Sequence, residues 1–308
     1  MPRSPLPQRD GLDAAWVRTP RTGPWATMRD FLVTRLPRLS PERIDEMFAE
    51  QCWHDDHGQP LPPDAAYRPH RFIWFHRDLP EEVEVPFPIP ILYRDERIVV
   101  VDKPHFLSVI PRGNHVRQSV VVKLRRQLEL PELSPAHRLD RITAGVLLLT
   151  TRREFRAPYQ QLFEHRQVAK SYRVLAPVDP GLEFPRTVRS HIVKDRGVWQ
   201  AREVPGAAPN AETWIDLLDT TDGPDQPGAL GRYQVEPRTG RTHQIRLHFA
   251  SLGLPIVNDP LYPQVTGWDV DDFTRPLQLL AHRLAFTDPV DGTERVYVSQ
   301  RSLDPRVA

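Results

Sequence analysis

The chain has 308 residues, a formal net charge of +1 and a single cysteine, Cys52. That length can hold one large domain and a smaller one, and so balanced a charge points by itself to no partner. One cysteine excludes an internal disulfide and a thiolate zinc cage, and fits a reducing compartment. No apolar run approaches the length of a membrane span, and the N-terminus lacks the apolar stretch of a secretory signal, so the expectation is a soluble, cytoplasmic protein.

Residues 1–26 alternate Pro, Arg and Gly with few apolar side chains. They bury too little surface to offset the entropy of ordering, which predicts a mobile tail. From 27 to 80 a small α/β module is expected. Phe31, Leu32 and Leu36 suit one helix. Ser40 and Pro41 suit the cap and first position of a second, with Ile44, Met47 and Phe48 on one face. Arg71 to Phe75 reads as a closing strand. His54-Asp55-Asp56-His57 reads as a solvated loop, because a metal site needs further ligands that the neighbouring sequence does not supply. Residues 81–90 alternate Glu, Val and Pro, the composition of an extended linker.

The remainder, 91–308, reads as one α+β domain with a mainly antiparallel mixed sheet flanked by helices. Ile91 to Val101 has the pattern of a β-hairpin around Asp95-Glu96. A helix over 119–130 follows, carrying Lys123, Arg125 and Arg126 on its polar side. Val146 to Thr150 is a buried strand. Thr151 and Glu154 have the spacing of a capping box opening a helix to about His165. Strands are expected over 168–178, 188–193, 213–218, 232–235, 279–286 and 295–298, with loops over 205–210 and 220–231. A helix over 242–252 ends at Gly253. Charge is unevenly spread. From Arg112 to Arg173 there are thirteen Lys and Arg against five Asp and Glu, a basic stretch suited to displacing counterions from a polyphosphate. Only four of the 41 basic residues are lysines, so an arginine-rich composition accounts for part of it.

Just before the 146–150 strand lies His137-Arg138-Leu139-Asp140-Arg141-Ile142-Thr143-Ala144-Gly145. Two guanidinium groups bracket one carboxylate, and nearby cations favour the ionised form of an acid. An ionised carboxylate can act as nucleophile or general base. As an isolated tripeptide, Arg-Leu-Asp would more often be a surface ion pair. Two later segments change its weight: Val168-Ala169-Lys170-Ser171-Tyr172, and Arg238-Thr239-Gly240-Arg241-Thr242-His243-Gln244-Ile245-Arg246 continuing to Gly253-Leu254-Pro255-Ile256 and Asp259.

In this order the three segments resemble the motifs of the RluA-type RNA pseudouridine synthases, and the likeness covers roughly residues 90–300. Asp102-Lys103-Pro104 is also similar to that family, and residues 27–80 loosely resemble the S4-type RNA-binding module that often precedes such synthases. The resemblance implies a synthase fold with a central cleft. It also implies isomerisation of specific uridines in structured RNA, either large-subunit (23S) ribosomal RNA, transfer RNA or both, with ribosomal RNA slightly favoured. Asp140 would be the catalytic carboxylate, whether it attacks the sugar or takes a proton from it. Arg246 would pair with that carboxylate and Tyr172 would stack on the displaced uracil. Arg138 would fill the gap left by the flipped base, and His137, Arg141, Lys170 and Arg241 would contact RNA. The reaction calls for no cofactor and no metal, and the sequence has no phosphate-binding glycine loop or dinucleotide fingerprint. A monomer without a required protein partner is expected. Two other readings stay open: an inactive RNA-binding protein on the same scaffold, and a hydrolase working with two acids, for which no second acid is apparent in the sequence.

Overall fold

The computed structural model describes residues 3–113, 115–222 and 230–307. The chain divides into two compact units, Met1–Glu81 and Glu82–Ala308.

In the first unit, strand β1 (Ala15–Arg18) is followed by helices α1 (Met28–Arg35) and α2 (Pro41–Ala49) and by strand β2 (Phe72–Phe75). Thr27 and Asp30 form a capping box at the start of α1. Ser40 caps α2 by accepting the Arg43 amide at 3.1 Å, and Pro41 stands in its first turn, where a missing N–H costs nothing. Phe31, Leu32, Ile44, Met47 and Phe48 pack around Trp53 with Val17, Ile73 and Phe75. β1 corrects the expectation of a tail over 1–26: Ala15–Arg18 pairs antiparallel with β2. Ala15 and Val17 are buried while Trp16 and Arg18 point out, so four residues with period-two alternation suffice once a partner strand is present. In the His54–His57 stretch, Asp55 accepts the His57 and Gln59 amides at 2.8 and 2.9 Å, and Asp56 accepts the Phe72 amide at 3.1 Å.

The second unit is built on a ten-stranded sheet. Its elements in chain order are β3 (Ile91–Arg94), β4 (Ile98–Lys103), α3 (Val120–Leu128), β5 (Ser134–Pro135), β6 (Ala144–Thr150), α4 (Arg156–Glu164), β7 (Ala169–Pro177) and β8 (Arg186–Ser190). There follow β9 (Ile192–Val193), β10 (Arg202–Glu203), β11 (Ala211–Thr221), β12 (Leu230–Pro237), α5 (Gln244–Ser251), β13 (Leu279–Thr287) and β14 (Glu294–Val298). The main path runs β3-β4-β6-β13-β7-β12-β11-β8, with β5 added to β6 and β14 to β13, while β9 and β10 form a separate ribbon. Every pairing is antiparallel except β13 with β6.

The centre of the sheet is covered on both faces. Val99, Val101, Leu147 and Leu149 face α3 and α5, whereas Ile98, Val100, Val146 and Leu148 face α4. That is why the sequence of β4 and β6 is continuously apolar rather than alternating. Two local expectations differ. Thr151 does not cap a helix: its hydroxyl donates to the Glu96 carbonyl, and a 3-10 turn over Arg153–Phe155 precedes α4. Pro158 lies in the first turn of α4 and would be out of place deeper in a longer helix. The expected strand over 188–193 is broken at His191, so β8 stays in the sheet and β9 leaves it. The loop expected over 220–231 falls mostly on residues 223–229, outside the described residues; β11 reaches Thr221 and β12 starts at Leu230.

Candidate active site

A cleft of about 850 Å³ opens in the second unit, lined by Asp140, Tyr172 and Arg246 among others. That lies within the range of sites that enclose a small organic ligand. Asp140 stands in the loop between β5 and β6, Tyr172 in the first half of β7, and Arg246 in the first turn of α5. Three segments far apart in sequence therefore meet because β6, β13 and β7 are neighbours and α5 packs on β12 and β11, the next strands after β7.

Several buried groups hold the Asp140 loop. The Asp140 carbonyl accepts the Thr143 amide at 3.1 Å, closing a tight turn. Lys103 is fully buried, and its ammonium donates to the carbonyls of Pro104, Leu107 and Arg141 at 2.9, 2.7 and 3.0 Å. Burial pulls its pKa well below the usual lysine value, opposed by the Asp140 carboxylate. His105 Nδ1 lies 2.7 Å from the Ile142 carbonyl, and burial lowers its pKa to about 4. Gly145 follows the loop at φ +116°, with space for a Cβ blocked by the Ala281 carbonyl oxygen at 2.2 Å. Only glycine fits where β6 and β13 approach so closely.

Arg246 is 2% exposed and connects two acids. It holds Asp259 in a bidentate pair, Nε to Oδ2 at 2.8 Å and NH2 to Oδ1 at 2.6 Å, and its NH1 reaches Asp140 Oδ2 at 3.4 Å. Burial works against the guanidinium, but the Asp259 hydrogen bonds and the charges of Asp259 and Asp140 raise its pKa above normal. Asp259 also accepts the amides of Leu261 and Tyr262, and Arg246 sits 5.3 Å from the Tyr262 ring centroid. His243, at the head of α5 with φ +59°, points Nε2 toward Asp140 Oδ2 at 3.8 Å and places Nδ1 3.0 Å from the Tyr262 hydroxyl. Its pKa is lowered by burial, an effect the Asp140 charge opposes. Tyr172 is partly buried, and burial followed by the Asp140 charge pushes its phenol above its ordinary pKa. It stays neutral at physiological pH, offering a ring face and an O–H donor.

The remaining residues singled out in the sequence also line this cleft, but with different freedom. Arg138 is exposed at its edge. Arg141 is committed elsewhere: its NH2 donates to the Val270 carbonyl, and the guanidinium lies 5.2 Å from the Trp268 ring centroid. Its Nε and NH1 are buried with no hydrogen-bond partner among the described residues. Lys170 donates to the Thr239 carbonyl at 3.4 Å, and Arg241 to that of Asn210 at 3.3 Å. His137 accepts the Leu148 amide through Nε2 at 3.1 Å and stacks on Phe163 at 4.3 Å. Burial lowers its pKa to about 3, with the Lys170 charge contributing, so the ring is neutral.

Asp259, His243, Tyr262, Lys103 and His105 received no role in the sequence reading. The first two lay inside matched segments, and Lys103 in the similar Asp102-Lys103-Pro104; nothing in the spacing marked Tyr262 or His105. Among the described residues no three His, Cys, Asp or Glu side chains cluster as metal ligands, and no helix is long and apolar enough to cross a membrane.

Residues 97–251 match the family described as RNA pseudouridylate synthase, and the chain belongs to it. It is 34% identical over 178 residues to a pseudouridylate synthase of Homo sapiens, a match covering 58% of this chain and 31% of that one, so it spans about a third of that relative's length. It is 31% identical over 217 residues to an uncharacterized RNA pseudouridine synthase of Synechocystis, covering 67% and 69% of the two chains. The solved structure of human RNA pseudouridylate synthase domain containing 1 shares the fold at a TM-score of 0.59 and 23% identity, over 74% of this chain and 89% of that one.

Proposed function

We propose that the protein isomerises specific uridines to pseudouridine within structured RNA, the large-subunit 23S ribosomal RNA, transfer RNA or both being its targets. The bond between C1′ and uracil N1 breaks, the uracil turns, C5 bonds to C1′, and the C5 proton leaves while N1 gains one. Nothing is oxidised and no group is imported.

The observation that carries this reading is the Asp140 carboxylate, 3.4 Å from a buried guanidinium that a second, fully buried acid holds in place. Asp259 aims Arg246, and Arg246 orients Asp140 toward the cleft. A carboxylate so fixed loses little freedom on reaching the transition state. It serves either route, attack on C1′ or removal of a sugar proton. Tyr172 supplies a neutral ring on which the freed uracil stacks. Taking a base out of its stack costs a few kcal/mol, and the exposed Arg138 guanidinium fills the gap, since its plane stacks on neighbouring bases. Arg241 and Lys170 meet phosphates at the rim.

The test uses RNA carrying tritium at uracil C5. The wild type releases tritium to water without cutting the chain; an inactive RNA binder releases none, and a hydrolase yields free base. Asp140→Asn should retain fold and RNA affinity while tritium release falls to background. Release at the wild-type rate would remove Asp140 from the mechanism.

A further inference from the structure

The β9–β10 ribbon carries the most exposed large apolar side chain of the described residues, Trp199 at 60%, beside Val198 at 51%. Both line the same cleft as Asp140. An indole so open to water gains little for the fold, and among the described residues no aromatic ring contacts it. The ribbon beneath it is nevertheless firmly held. Ile192, Ala201 and Ala211 are buried together, with Leu247 of α5 packed against them. The Asn210 side chain accepts the Ile192 amide at 2.9 Å and donates to the Ile192 carbonyl at 3.1 Å. Directly after Trp199, the Gln200 side chain donates to the Leu261 carbonyl, and Ala201 exchanges hydrogen bonds with the Tyr262 hydroxyl at 2.6 and 3.1 Å. Leu261 and Tyr262 are the residues whose amides Asp259 accepts. A chain of hydrogen bonds thus ties the root of the Trp199 tip to the group that holds Arg246. Around the indole the exposed charge is mixed but cationic on balance: Lys194 and Arg196 stand beside Asp195, which Arg202 pairs at 3.1 Å.

We infer that Trp199 is a base-stacking residue for RNA, receiving an unpaired base next to the target uridine while Lys194 and Arg196 meet the adjoining phosphates. This rests on the proposed function and names the part of the substrate that the ribbon recognises: a single-stranded loop rather than a continuous duplex. Aromatic faces accept any base, so the site selects for an unstacked nucleotide and not for a sequence. Its fixed link to Asp259 sets the distance between that nucleotide and the uridine at Asp140.

The experiment measures binding of a short RNA hairpin with a uridine-bearing single-stranded loop to the Asp140→Asn protein, so that turnover does not intervene. Adding Trp199→Ala should weaken binding about tenfold or more, and Trp199→Phe should restore most of it. Abasic sites placed in turn through the loop should reveal one position at which the Trp199→Ala and Trp199 proteins bind alike. Binding within twofold in Trp199→Ala, no recovery in Trp199→Phe, or an unchanged deficit at every abasic position would each overturn the stacking role. Tritium release by the wild-type protein is read separately. Its absence would sink the synthase reading without deciding the stacking, and its presence with an indifferent Trp199 would sink the stacking alone.

Discussion

Arg246 serves its two acids unequally, and the inequality has a consequence for single residues. The closer, bidentate partner is Asp259, whose side chain is wholly buried, while Asp140 is reached through one nitrogen at 3.4 Å. Asp259→Asn keeps the shape but leaves a buried guanidinium with one partly exposed carboxylate. Breaking a buried pair in this way typically costs about 3–5 kcal/mol, and a misplacement of about 1 Å at a reacting group costs about a hundredfold in rate. Urea unfolding and tritium release should both show the loss; wild-type values in both would mean that Arg246 does not depend on Asp259. Asp140 stands out in the sequence because its motif is local. The contacts of Asp259 and His243 do not show there, because they depend on how α5 and the turn after it fold back over the β6 loop.

At the scale of elements, the sheet was legible wherever burial imposes a pattern. Ile98–Val101 read as the second strand of a hairpin and Val146–Thr150 as a buried strand, and both are continuously apolar because helices cover both faces. What the pattern could not supply was the identity of neighbours, such as the single parallel contact of β6 with β13. Gly145 is where that contact is decided. Gly145→Ala would place a methyl group 2.2 Å from the Ala281 oxygen at a backbone angle that L side chains rarely adopt. Incompatible backbone substitutions cost more than about 1 kcal/mol before any clash is counted, and here the strands must also part. The expected outcome is a stability loss of roughly 2–4 kcal/mol and tritium release reduced further than stability alone explains, because the Asp140 loop ends at that contact. An unchanged denaturation midpoint would show that β6 and β13 can separate without penalty.

Across the whole molecule, three histidines buried in the neutral form link stability to pH. Their pKa values are lowered to about 4 for His105, about 3 for His137 and about 4 for His248, each mainly by burial. In the unfolded chain a histidine titrates near 6.5. Below that pH the unfolded state binds protons that the folded state refuses, so stability is full above about pH 6.5. It falls as pH drops toward the folded pKa values, each histidine contributing up to about 1.4 kcal/mol per pH unit in that interval. Denaturation midpoints measured from pH 7 down to 4.5 should therefore decline steeply, and His248→Gln should flatten the slope; a flat wild-type profile would mean that these rings are not held neutral. None of this was visible in the sequence, where even His137 stood out for its motif and not for burial, because burial depends on the assembled sheet. The two compact units divide between Glu81 and Glu82, and the order of residues 15–18 requires a partner strand more than fifty positions away.

The chain's scarcity of lysine turns Lys103 into a built-in reporter. Only Lys103, Lys123, Lys170 and Lys194 carry ε-amines, and Lys103 is enclosed by three carbonyls directly behind the Asp140 loop. An amine-reactive acetylating reagent can reach that nitrogen only when β4 and the loop come apart. Its labelling rate, followed by peptide mass, would clock how often the site opens on its own, and bound RNA should slow that clock if the loop closes around a nucleotide.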